Sequence, residues 1–311
     1  MSIFFSTLNQ TAFLFGFIII GYILAKLRIL PDSAAAVLSK LENSVFIPAL
    51  ILGTFIRNFT VERIRSAWKL LAISFGIAFI AIVLAILFSK LLTKDKYIRN
   101  IYTYGLAFSN FGFMGNAIIS SLFPRVFFEY LIFTLPLWIL IYIWGVPRLL
   151  MADSEKKQTF KESLKNFVNP IFISMPIGMI IGLIGLPLPE WITSLVDVAG
   201  SCMSPIAMIL TGIVVSSISL KKTFTNVRIY IVSVIRLIIL PGIFIAVTQF
   251  IKMPPAMYIC ALCSLAMPLG LNTIVIPSAL GKDTSVAAGM AVISHLLACI
   301  TIPLIFALSQ V

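Results

Sequence analysis

The chain has 311 residues, 60% of them hydrophobic and only 11% charged, where a soluble domain carries roughly a quarter charged residues. A mean hydropathy of +1.09 over the whole length means that apolar stretches recur from end to end, which excludes a soluble enzyme with one anchoring helix. The 23 Lys and Arg against 11 Asp and Glu give a net charge of +12, but these residues fall in short gaps between apolar runs, as in cytoplasmic loops of membrane proteins, so nucleic acid is not the expected partner.

At about 20 apolar residues per crossing, the first half divides into spans 8–26, 34–56, 68–88, 97–123 and 126–146. No Lys or Arg precedes Lys26, so the first span reads as a retained helix and not as a signal peptide. The run MADSEKKQTFKES then makes 148–166 a polar linker between a first unit, 1–147, and a second, 167–311. The second half repeats the pattern with spans 168–186, 192–220, 227–250, 256–280 and 286–308. The predicted fold class is therefore an all-α membrane protein of about ten transmembrane helices. With the N-terminus outside, fifteen basic residues, among them Lys26, Arg28, Lys90, Arg148, Lys156, Lys157, Lys161, Lys165, Lys221 and Lys222, fall in cytoplasmic loops. Six fall opposite: Arg57, Arg63, Arg65, Lys69, Arg125 and Lys252. Both termini are expected outside the cell inner membrane on this count.

Five spans per half is an odd number, so two similar halves must enter the membrane with opposite polarity, as inverted repeats do. Two landmarks support a repeat. Pro48 follows Ser44 in span two as Pro205 follows Ser201 in span seven, 157 residues on, and Asn116 in span four is matched by Asn272 in span nine, 156 residues on.

Spans four and nine are the polar, glycine-bearing ones. SNFGFMGNA contains Ser109, Asn110, Gly112, Gly115 and Asn116, and AMPLGLNT contains Pro268, Gly270, Asn272 and Thr273. Gly and Pro weaken helices, and unwound backbone at membrane depth occurs only inside protein or against a cavity. Both spans are expected to be broken helices, with Asn116 and Asn272 capping the second half-helices. Their N-termini would meet at the midplane and form an anion site. Two kinked helices with packed asparagines are the alternative.

These motifs, together with FIPALIL in span two and SPIAMILTG in span seven, resemble the auxin efflux carrier family over essentially the whole chain. The resemblance implies two inverted five-helix repeats related to bile acid sodium symporters. It also implies a scaffold of spans 1, 2, 6 and 7, and a moving domain of spans 3–5 and 8–10 in which the broken helices cross. It matches Asn110 to the family's crossing-helix asparagine, which helps hold a substrate carboxylate. The plant pattern has proline where Ala117 and Thr273 stand here.

Charge at membrane depth is costly and often functional. Asp197 and Arg236, in adjacent spans, are expected either to pair or to couple transport to an ion; His295, the one histidine, either packs through hydrogen bonds or takes up protons. Lys40, Glu42 and Glu129 are expected to reach the interface. Gly178 and Gly182 in GMIIG form a small-xxx-small pattern suited to a close helix contact, a homodimer interface through the scaffold among the options. Cys202, Cys260, Cys263 and Cys299 read as packing residues. CxxC at 260–263 has no second pair and no nearby His, so no metal and no cofactor is expected. Nor is there a phosphate-binding loop or nucleophile–base pair for an enzyme. The expected function is secondary transport of a small organic anion by an elevator mechanism, with a sodium-coupled symporter and a channel or receptor as alternatives.

Overall fold

The computed structural model describes residues 3–152, 164, 168–216 and 225–309. Most of the polar linker, with Lys156, Lys157, Lys161 and Lys165, and also Lys221 and Lys222, lies outside the described residues. The helices are α1 (Ile3–Lys26), α2 (Ala34–Asn58), α3 (Val61–Leu92), α4 (Lys96–Ala107), α5 (Phe111–Leu122) and α6 (Pro124–Leu150). They continue as α7 (Pro170–Ile184), α8 (Glu190–Ser216), α9 (Val227–Thr248), α10 (Pro255–Ala266), α11 (Asn272–Ala279) and α12 (Ser285–Leu308). Seven of them, α1, α2, α3, α6, α8, α9 and α12, contain a stretch long and apolar enough to cross a membrane; α5, α7 and α10 are shorter and apolar.

Local chemistry sets the helix ends. Asp95 accepts from Ile98 N at 2.9 Å and starts α4. Asn169 accepts from Ile171 N and Phe172 N ahead of Pro170 in the first position of α7, a combination that satisfies amides otherwise left free. Gly185 ends α7 in the left-handed conformation, at φ 65°. On the outside, large apolar side chains such as Phe79, Leu91, Ile184 and Phe250 are exposed, an arrangement that only a lipid surround makes favourable.

Helix α1 packs along α8, while α2 packs along α7 and α8. Glycine allows both close crossings. A Cβ on Gly21 would stand 2.1 Å from Ile209 O, and one on Gly178 would stand 3.0 Å from Leu52 O. Gly178 lies 157 residues after Gly21 and Ile209 lies 157 after Leu52, so the two contacts exchange under the same offset as the Ser–Pro landmark. Gly182 is likewise pressed on Phe55 O, at 2.7 Å from an added Cβ. The GMIIG glycines therefore serve a contact inside the chain with α2, and this face is closed to a second copy.

Gly212 on α8 is the tightest point, since an added Cβ would lie 2.0 Å from Ile18 O. Alanine ordinarily favours a helix over glycine by about 1 kcal/mol. Here Gly212→Ala should instead cost about 1–3 kcal/mol, because two backbones must separate. Melting in detergent checks this against Gly16→Ala, where nothing lies within 4 Å of the new methyl. Equal melting temperatures for the two variants would contradict the contact.

Candidate functional site: a crossing of two interrupted helices

Helix α4 ends where Phe108 turns extended, at φ −120° and ψ 111°, and helical backbone resumes at Phe111. Helix α10 ends where Met267 turns extended, at φ −71° and ψ 149°, and α11 begins at Asn272. Met267 precedes Pro268, and the proline ring pushes the preceding residue out of the helical region. The two extended stretches run antiparallel. Ser109 bridges Leu269, and Asn110 N donates to Pro268 O at 2.7 Å. A Cβ on Gly270 would lie 3.2 Å from both Phe108 O and Ser109 O, so this position needs glycine for the approach.

The first break falls six residues before the expected one. Asn116 is not a cap: it sits on helical backbone at φ −58° and ψ −44°, and Asn110 occupies the position ahead of α5. The glycine-bearing turn Phe111–Gly115 stays helical, in a π turn, because its glycines accept aromatic rings from α6. An added Cβ would lie 2.8 Å from the Trp138 ring at Gly112 and 2.1 Å from Tyr130 Oη at Gly115. Tyr130 also donates to Phe111 O at 3.0 Å. Asn272 does open its half-helix, but its amide donates to Tyr104 Oη at 3.0 Å.

The expected Arg236–Asp197 pair is not formed. Arg236 is 1% exposed and donates from Nη1 to Leu106 O at 2.8 Å, from Nη2 to Ser264 O at 2.6 Å and from Nε to Met267 O at 3.3 Å. Those carbonyls belong to the ends of α4 and α10, where interruption leaves acceptors without helical donors and the helix dipoles are negative. Asp197 on α8 pairs instead with Arg57 at the end of α2. Both of those side chains are about half exposed, at 53%.

His295 and Ser294 of α12 close the crossing. His295 Nδ1 lies 2.8 Å from Ala291 O, which can only accept, so Nδ1 donates and Nε2 presents its lone pair to Asn110 Nδ2 at 3.1 Å. Ser294 Oγ accepts from Leu269 N at 3.2 Å, and Ser109 Oγ donates to Ser264 O at 2.6 Å. Thr273 Oγ1 donates to Gly270 O at 2.8 Å. Ser109, Asn110, Asn116 and Thr273 are all buried, so the crossing holds itself together in this conformation.

A cavity of about 390 Å³ is bounded by α1, α2, α8 and the far end of α5. Its polar lining is Gln10, Arg57, Ser120, Ser121, Asp197, Ser201 and Ser204, and Gln10 Nε2 donates to Ser121 Oγ at 2.9 Å. Of the residues expected to bind or couple, Asp197 lines this wall; those at 109–116 and 268–273 do not, nor do Arg236 and His295. Ser120 and Ser121 carry no signal in the sequence beyond being polar in an apolar span. Ser201 and Pro205 do carry one, since the repeated Ser–Pro landmark of spans two and seven lines the cavity through them.

Lys40 is exposed and Glu129 half-buried, with Glu129 4.0 Å from Arg63. Glu42 does not reach the interface as expected: it is fully buried on α2. The family model described as membrane transport protein matches residues 6–306. No curated protein matches the sequence.

Proposed function

The chain belongs to the membrane transport protein family, which includes the auxin efflux carriers, and from that premise we propose that it is a secondary transporter of small organic anions such as carboxylates. That family is one of transporters and not of enzymes, and the chain is a multi-pass membrane protein. On this reading ten crossings form two inverted five-helix repeats with both termini outside the plasma membrane. Helices α1, α2, α7 and α8 are the fixed scaffold, and the rest form the moving domain.

The observation that carries the reading is the antiparallel pairing of two interrupted helices, one of which continues into α5, whose far end closes a largely apolar cavity with polar side chains on its wall and scaffold helices around the rest. Non-helical backbone at membrane depth is costly unless it serves a site, and a pathway between a fixed and a moving part is what alternating access requires. The bonds from Arg236, Ser109 and His295 tie α4, α5, α9, α10 and α12 into one body that can shift as a unit. Arg57, at the cavity wall with half of its side chain exposed, supplies positive charge for an anion. The repeat is supported by the exchange of glycine contacts between α1–α8 and α2–α7.

Uptake into proteoliposomes of labelled mono- and dicarboxylates tests this. Saturable uptake is expected, with counterflow when the unlabelled compound is loaded inside. Flux that rises linearly with concentration and shows no counterflow would indicate a channel, and no carboxylate flux above protein-free vesicles would overturn the substrate class.

A further inference from the structure

Glu42 opens a π-helical turn, Glu42–Phe46, in the middle of α2. It is 0% exposed, and among the described residues neither carboxyl oxygen has a side-chain hydrogen-bond partner. Burying an ionised carboxylate without a partner costs far more than the margin by which a protein is folded. The group must therefore sit here as the neutral acid, with its proton on.

Among the described residues no cation offsets it. The turn packs against α7 and against α8 both before and after Cys202, over Glu190–Ser201 and Met203–Ser216. Helix α7 carries no titratable side chain over Pro170–Ile184. Helix α8 carries exposed Glu190, half-exposed Asp197 bonded to Arg57, and the thiol of Cys202. On α2 itself Lys40 is turned to the exterior and Arg57 is held by Asp197.

The surroundings connect Glu42 to the cavity. The backbone of Ala207 on α8 lies beside the carboxyl, and Pro205, two residues before it, lines the cavity. On the facing helix Ala49 and Leu50 line the same cavity, and Ala49 stands seven residues from Glu42, about 10 Å of helix rise. A single seam between α2 and α8 thus runs from the cavity wall to the buried acid. Both sides of that seam have loosened helical pairing: a π turn followed by Pro48 in α2, and in α8, ahead of Pro205, Cys202, whose N–H is shared between Val198 O and Ala199 O at 3.3 Å. Such points are where helices bend and re-pair.

We propose that Glu42 is a proton-binding site coupled to transport, neutral when the α2/α8 seam is closed and ionised when the seam opens and admits water from the cavity. On opening, the O–H bond breaks and the proton passes to water; on closing, water returns a proton and the O–H bond forms again. The proposal rests on the transporter reading above.

Two measurements on the full chain test it. In the infrared spectrum at neutral pH, wild type should show the C=O band of a protonated, weakly hydrogen-bonded carboxylic acid. Glu42→Gln should lack it, and Glu42→Asp should displace it. A spectrum unchanged in Glu42→Gln, or in Glu42→Asp should the first variant fail to fold, would overturn the site.

In proteoliposomes with labelled pyruvate as the probe, an inward proton gradient of one pH unit should raise accumulation by wild type up to about tenfold. Glu42→Gln should exchange pyruvate without that response. A wild type indifferent to the gradient, or a Glu42→Gln variant that keeps the full response, would overturn the coupling. If counterflow shows that no version moves pyruvate or any other carboxylate, the transporter reading fails by itself, and the infrared result still decides the proton site.

Discussion

Arg236→Met is expected to abolish transport and to lower the melting temperature of the detergent-purified protein by many degrees. The substitution removes the guanidinium donors to Leu106 O and Met267 O and one of the two donors to Ser264 O, which keeps Ser109 Oγ. A buried acceptor left unpaired costs about 1–3 kcal/mol, and here the ends of α4 and α10 would face each other with their negative dipoles unopposed. Relief of burying the guanidinium offsets part of this loss, but methionine offers nothing to the carbonyls. Arg236→Lys should be intermediate, since an ammonium on a flexible stem cannot reproduce a fork spread over three acceptors. Asp197→Asn provides the contrast. Were Asp197 the partner of Arg236, the two losses would match; the structure expects Asp197→Asn to melt close to wild type. A Met variant as stable as wild type would show that the crossing does not depend on this residue.

Arg57→Gln should weaken the apparent affinity for a transported monocarboxylate by about ten- to a hundredfold, the value of one hydrogen bond to a charged group, roughly 1.5–3 kcal/mol. Asp197→Asn should act in the opposite direction, because Asp197 competes with a substrate anion for the same guanidinium. Both effects should shrink as salt rises, since the pair is half exposed and screened. Concentration dependence of uptake at two ionic strengths reads all three. If Arg57→Gln transports with wild-type affinity, the anion does not pass along this cavity wall.

The features decided by local sequence were legible without coordinates. A helix needs only apolar length and good ends, and the apolar runs of spans one, two, five, eight and ten are helices with bounds close to those expected, while span three, expected at 68–88, lies within a longer helix, Val61–Leu92. Likewise Pro268 acts on its own neighbour, so the interruption of span nine could be read from residue type. The interruption of span four, expected at its glycines ahead of Asn116, lies instead at Phe108–Asn110, six residues earlier. Gly112 and Gly115 do not unwind the helix, because Trp138 and Tyr130 of α6 fill the space that those glycines leave. A sequence does not show which ring will lie over which glycine.

Partnership among the polar residues was decided by tertiary structure alone. Helical spacing places Arg236, Asp197 and Glu42 at a depth, but not at a rotation or beside a neighbour. Arg236 found carbonyls because two helices end at the same place, their carbonyls at Leu106 and Ser264 being 158 residues apart in the chain. Asp197 found Arg57, 140 residues away, and Glu42 found no side-chain partner among the described residues. The cavity follows the same rule, being lined from four helices that only packing brings together. Hydropathy and backbone propensity act over a turn or two of chain, so the sequence by itself determined that these helices form and that two of them are interrupted. Which charges meet, and which one is left alone, depends on contacts between distant segments, and those exist only once the helices have packed.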